Sequence, residues 1–208
     1  IKEPHHFDTD HPFGIKNRQR YEKLFSRAFE THIAVGEASV KYLHSKRAVP
    51  NILDYAESPK FIVMVRNPIE VAYSFHAQKV YDLDEQILDF SSAWNSQENR
   101  RRGEYISPYC ADPSVYQYAE YASIGTQIIR LMKIVPKNSV KIILFDDFKA
   151  SNRSVYKDVL SFLEVPDDGR KVFPRINDAK RWRSEFLASI MKTGIGVKNR
   201  VGLNGLRF

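Results

Sequence analysis

Residues 61–75 read FIVMVRNPIEVAYSF. The run from Phe61 to Val65 is short, wholly apolar and rich in β-branched residues, which fits a parallel strand covered on both faces. It stops at Arg66. Pro68 then stands at the favoured first position of a helix, and IEVAYSFHAQKV (69–80) continues that helix. A strand that runs into a helix in this way puts Arg66 at the strand's carboxyl end, where open α/β sheets bind their ligands. Ser74 follows eight residues after Arg66. It sits roughly 9 Å along the helix from Pro68, at about 1.5 Å per residue. Two readings of the pair stand side by side. A guanidinium and a hydroxyl can hold an anion between them. Equally, the arginine can cap nearby carbonyls while the serine bonds its own helix backbone.

Outward from this stretch the pattern alternates. SVKIILF (139–145) is a second buried strand, and HIAVGEAS (32–39) reads as a short strand ending at Gly36-Glu37. Helical spacing covers 17–29, 49–57, 84–97 and 185–193, and a long amphipathic helix covers 115–135. Residues 146–165 read as a loop and then a helix, with Ser151 or Asn152 as its N-cap. The segments 99–114 and 166–184 are polar loops, the second strongly basic. Strands alternating with helices predict one α/β domain over 1–208 with a largely parallel sheet.

Composition narrows the classes. With 43% hydrophobic and 27% charged residues the chain is globular rather than disordered. No stretch approaches the roughly 20 apolar residues that span a bilayer. The single cysteine, Cys110, excludes an intrachain disulfide and a four-cysteine zinc site. It points to a reducing, cytoplasmic compartment. The net charge of +7 suits an anionic partner. None of the six histidines sits in an HExxH pair or a cysteine–histidine array, so no metal is expected. Neither a GxSxG elbow nor a GxxxxGK[ST] phosphate loop occurs.

Further segments carry polar chemistry. In KEPHHF (2–7), Glu3 beside Lys2 can accept a proton from a hydroxyl, as can His5 or His6. The same residues also fit an exposed chain end with an ordinary ion pair. GEASVKYL (36–43) sets Glu37, Ser39 and Lys41 after a glycine, as a polar patch or a ligand-facing loop. Arg170, Lys171, Arg175, Lys180, Arg181 and Arg183 crowd one loop region. They form either a phosphate clamp or a solvated charge run.

Taken in order, these segments resemble one family, the sulfotransferases that use 3′-phosphoadenosine 5′-phosphosulfate (PAPS). The similarity is to the bacterial and heparan-type, carbohydrate-modifying branch. The resemblance implies a P-loop-NTPase-like three-layer α/β fold, its central, mostly parallel sheet flanked by helices. KFIVMVRNPIEVAYSF is similar to the family's strand-Arg-[Asn/Asp]-Pro element, which assigns the 3′-phosphate to Arg66 and Ser74. KEPHHFD is similar to the family's Lys-Glu-Pro-His segment, which makes Glu3 the general base and sets Lys2 near the transferred group, with His5 kept as the alternative catalytic base. His6, Phe7, Glu37, Ser39 and Tyr42 then line the acceptor cleft, with Val40 standing where proline is usual. PRINDAKRWRS is similar to the family's closing basic loop, which brings Arg181, Arg183 and Ser184 to the nucleotide. The family's Gly-x-x-[Lys/Arg]-x-Gly-Thr-[Ser/Thr] loop for the 5′-phosphosulfate is not in these residues. KEPHHF opens in mid-pattern, so an upstream strand and loop are expected.

The implied reaction uses PAPS, releases 3′-phosphoadenosine 5′-phosphate (PAP) and needs no metal. The implied acceptor is a hydroxyl or amine on a carbohydrate or small metabolite. Because the basic residues fall in separate loops, no nucleic acid is expected. The rival reading is a non-catalytic nucleotide- or nucleic-acid-binding α/β domain.

Overall fold

The computed structural model describes residues 3–108 and 110–174. Lys2, Arg181, Arg183, Ser184 and the predicted helix at 185–193 lie outside them. The chain divides into two compact units. In described residues, one holds 3–68 and Ser123–Pro174, and the other is Ile69–Ala122.

The first unit is built on strands β1 (Phe61–Val65) and β2 (Val140–Leu144). They pair in parallel, with Phe61 opposite Val140 and Val65 opposite Leu144. Among the described residues the sheet has these two strands. Phe61, Val63 and Val65 turn to one side of β1 and pack with Val49, Leu131 and Val135. Val49 comes from helix α2 (Ala48–Tyr55) and Leu131 from α7 (Ile124–Met132). Arg130 of α7 donates to the carbonyls of Leu43, His44 and Ser45 at 2.6, 2.9 and 3.2 Å, which ties the chain before α2 to α7. The expectation of cover on both faces is not met among these residues, since Ile62 and Met64 are 41% and 52% exposed.

Beyond β2 the chain turns at once into α8 (Phe145–Ala150), where the sequence reading had a loop. Asp146 and Asp147 stand in its first turn, where acidic residues favour the helix dipole. Helix α9 (Asn152–Leu163) follows, with Ser151 as N-cap accepting from the Ser154 N–H. Lys60, just before β1, reaches the Phe162 carbonyl at 2.7 Å and Glu164 at 2.6 Å.

HIAVGEAS is not a strand. Its Ile33 and Val35 are 65% and 55% exposed, while Glu37 and Ser39 are engaged in side-chain bonds described below. Helix α1 is shorter than predicted, Arg18–Glu22, and passes into a 3₁₀ turn at Lys23–Phe25. Tyr21 of α1 joins Phe7 and Ala48 in a second core cluster.

The second unit holds α3 (Pro68–Tyr81) from Ile69 onward, α4 (Phe90–Asn95), α5 (Gln97–Arg101) and α6 (Tyr118–Ala122). The predicted helix at 84–97 starts only at Phe90, because Asp89 caps the Ser92 N–H at 2.7 Å. The single long helix expected at 115–135 is interrupted at Gln117 and at Ser123, whose backbone angles are not helical. Side-chain bonds explain the first break: Gln97 accepts from the Ala119 N–H at 2.8 Å, and Gln117 donates to the Gln97 carbonyl at 3.1 Å.

This unit closes on a buried ion pair. Arg100 forks onto Glu85 at 2.5 and 2.7 Å, and both side chains are wholly buried. Tyr118 adds its hydroxyl at 2.5 Å, and the Ile87 N–H adds another bond at 2.7 Å. Burial opposes the ionised carboxyl, yet the Arg100 and Tyr118 bonds outweigh it and hold Glu85 below its ordinary pKa of 4.5. Glu85→Gln should therefore lower the unfolding free energy by about 3–5 kcal/mol, the usual cost of orphaning one member of a buried pair. A carboxyl depressed on folding stabilises fully above its unfolded pKa and loses that contribution as pH falls through its folded one. Urea titrations across pH 3–6 should show the parent weakening on the acid side and the variant weakening less; parallel curves would contradict the assignment.

Candidate active site

The first unit folds residues 3–8 into a tight loop with unusual backbone. Glu3 and His5 have φ of 55° and 48°, in the left-handed region that costs non-glycine residues of order 1–3 kcal/mol each. Three kinds of contact hold it there. Ile15 N–H donates to the Pro4 carbonyl at 2.8 Å, and Lys16 Nζ donates to the carbonyls of His5 and Asp8 at 3.1 and 3.0 Å. Asn51 of α2 donates to the Phe7 carbonyl at 2.7 Å. The last set comes from the segment after Gly36. Ser39 and Tyr42 hydroxyls donate to Glu37 at 3.1 and 2.5 Å. Their oxygens in turn accept the N–H of His5 (3.1 Å, Ser39) and of His6 and Phe7 (3.0 and 3.3 Å, Tyr42). Burial, then the Glu37 bond, pushes the Tyr42 phenol well above its ordinary pKa, so it remains a hydroxyl.

Gly14 is the piece that lets this loop close. Its φ is 111°, and a Cβ there would lie 2.5 Å from both Cβ and the carbonyl oxygen of His5. Only glycine fits without moving the histidine.

Within the loop, His5 Nδ1 donates to Asp8 Oδ2 at 2.6 Å, and Asp8 is wholly buried. That fixes the ring and presents Nε2 to Glu3, 3.6 Å from Oε2. Asp8, His5 and Glu3 thus form one line from the interior outward, their side chains 0%, 13% and 28% exposed. His11 lies beside His5, ring centroids 4.7 Å apart and ring planes tilted by 34°. Asp10, next to the loop, accepts from the Ser45 hydroxyl at 2.5 Å and the Lys46 N–H at 2.9 Å. Burial alone would raise its pKa, but these bonds win and keep the carboxyl below its usual range.

The predicted residues divide into groups. Glu3 and His5 come together. Glu37, Ser39 and Tyr42 buttress the loop with their polar atoms. His6 donates from Nδ1 to the Ile15 carbonyl at 2.7 Å and stacks on Tyr21 at 4.1 Å. Phe7 is 7% exposed and lies among Tyr21, Tyr42 and Tyr55. Arg66 is exposed at the carboxyl end of β1, its guanidinium 5.4 Å from the ring of Phe145, which follows β2. Ser74 is exposed on α3. Of the basic loop, Arg170 and Lys171 are described; Lys171 is exposed, and Arg170 pairs with Asp168 at 3.5 Å and lies over Tyr156. Asp8, His11 and Gly14 were missed, although the spacing His5-x-x-Asp8-x-x-His11 stands in the sequence.

These elements define a sulfotransferase-like fold. A crystal structure of a sulfotransferase from Alicyclobacillus acidocaldarius matches it with a TM-score of 0.69 at 26% identity, over 92% of this chain and 77% of that one. No family model and no curated protein matches the chain. Among the described residues no helix is long and apolar enough to cross a membrane.

The buttress makes a direct prediction. Tyr42→Phe removes the oxygen that accepts from His6 and Phe7, so those amides should exchange with solvent faster, by about 1–3 kcal/mol in opening free energy. Unchanged protection would mean that Tyr42 does not hold the loop.

Proposed function

We propose that this chain moves a sulfuryl group from PAPS to an acceptor hydroxyl, or an amine, on a carbohydrate or small metabolite. The observation that carries the reading is the Asp8–His5–Glu3 line on a strained, buttressed loop in a sulfotransferase-like fold. Sulfuryl transfer is an in-line displacement between oxygens, so positioning and charge stabilisation carry most of the catalysis, as in phosphoryl transfer.

An anionic nucleotide fits the donors at hand. Arg66 offers a planar fork at a strand's carboxyl end, suited to a phosphate. Ser74 adds a hydroxyl on the helix that begins two residues after Arg66. Their assignment to the 3′-phosphate rests on the Arg-Asn-Pro spacing and the resemblance. The same resemblance supports Lys2, Arg181, Arg183 and Ser184 as further anion contacts. PAPS would bring the activated sulfuryl group; the chain's own side chains handle the acceptor. Glu3 takes the proton of the acceptor hydroxyl. His5 Nε2, 3.6 Å away, stands ready to share it, and buried Asp8 holds the ring and faces the imidazolium that forms. The net charge of +7 favours an acidic acceptor.

Glu3→Gln should lower turnover about 10²–10⁴-fold with little change in PAP affinity. Turnover near the parent's would remove Glu3 as the base. Asp8→Asn should lower kcat while leaving KM for the acceptor near its parental value, because Asp8 positions His5 and touches no substrate; a rise in KM alone would contradict that role. Arg66→Ala should weaken PAP binding in calorimetry, and an affinity equal to the parent's would sink the phosphate assignment.

A further inference from the structure

We propose that His5, Asp8 and His11 form a binding site for a divalent transition-metal ion of the Zn²⁺ class, and that the bound ion disables His5. The site itself stands on geometry alone; its inhibitory effect rests on the function proposed above.

One ligand atom from each of the three side chains lies within 4.8 Å of the other two. A metal ion needs little more than a shift of side chains to gather such atoms to the roughly 2.0–2.2 Å of Zn–N and Zn–O bonds. The side chains of His5, Asp8 and His11 are 13%, 0% and 11% exposed, so an ion would be largely shielded from water. A second observation points to a missing partner. Among the described residues Asp8 Oδ1 is buried and accepts no hydrogen bond. Lys16 Nζ is 3.8 Å from it and directs its hydrogen bonds to the carbonyls of His5 and Asp8 instead. A buried carboxylate oxygen without a hydrogen-bond donor is costly. Oδ2 is the oxygen that faces the rings, 2.6 Å from His5 Nδ1 and 3.9 Å from His11 Nδ1, so an ion taken by both carboxylate oxygens would satisfy Oδ1 as well.

The donor set selects the ion. Two imidazoles and one carboxylate suit Zn²⁺, Ni²⁺ or Cu²⁺, whereas Mg²⁺ prefers an all-oxygen octahedral shell. Whichever nitrogen of His5 takes the ion, the lone pair facing Glu3 is lost. Coordination at Nε2 uses it directly. Coordination at Nδ1 displaces that proton, and the neutral ring then carries its proton on Nε2. In both cases His5 can no longer accept a proton from Glu3. His11 takes no part in the proposed proton transfer, so His11→Gln separates the metal site from the reaction.

The test titrates Zn²⁺ into the full chain by calorimetry, with Co²⁺ absorption reporting the ligand geometry and Mg²⁺ as the control. The parent should show single-site binding that Mg²⁺ does not imitate. Even outer-shell partners of a metal are worth about 10–100-fold, so loss of a ligand in His11→Gln should weaken binding by about a hundredfold. A circular-dichroism melt of His11→Gln matching the parent's rules out misfolding as the cause. No stoichiometric binding, or equal binding in parent and His11→Gln, overturns the site. In a transfer assay, Zn²⁺ should inhibit the parent and spare His11→Gln. Transfer that continues with the site filled overturns the inhibitory effect. Binding as stated in a chain that transfers no sulfuryl group supports the site and overturns the proposed function instead.

Discussion

The Glu37 carboxylate organises the candidate site without standing at its reactive end. It accepts two hydroxyls, Ser39 and Tyr42, and thereby orients their oxygens to receive three consecutive backbone amides of His5, His6 and Phe7. Those amides belong to a loop whose backbone at Glu3 and His5 is strained. Without partners the loop would relax and His5 would leave Asp8. Local strain of this kind persists only where neighbouring contacts over-determine it. Here the contacts are numerous: the Glu37 relay on one side, Lys16 and Ile15 on another, and Asn51 from α2.

A second constraint comes from the sheet. Because β1 and β2 are parallel and in register, both end at the same level, Val65 beside Leu144. The residue after each strand, Arg66 and Phe145, then meets its counterpart as a cation over a ring. The charge is delivered by the strand and steadied by the aromatic.

Much of this was legible in the sequence, for identifiable reasons. β1, β2, α2 and α3 have strong local signals: β-branched runs, a proline at a helix start, apolar residues at helical spacing. Glu3 was legible through the resemblance carried by KEPHHF, and His5 as a titratable group beside it. What escaped depends on tertiary contacts. Residues 32–39 carry strand-forming Ile33 and Val35 but have no ladder partner among the described residues, and their polar side chains hold a loop some thirty residues earlier in the chain. The helix at 115–135 is broken by bonds to Gln97, which no periodicity records. The role of Gly14 depends on how closely His5 approaches it. Asp8 has no local signal in the sequence; its burial and its 2.6 Å bond to His5 arise only in the folded chain.

The central claim is that this loop, so held, serves sulfuryl transfer. The most direct measurement incubates the protein with radiosulfur-labelled PAPS and a panel of carbohydrate and small-molecule hydroxyl acceptors, with Glu3→Gln as the control. Label should pass to at least one acceptor class with the parent protein and fall to background with the variant. Equal label in parent and Glu3→Gln, or tight PAP binding with no transfer to any acceptor, would contradict the account.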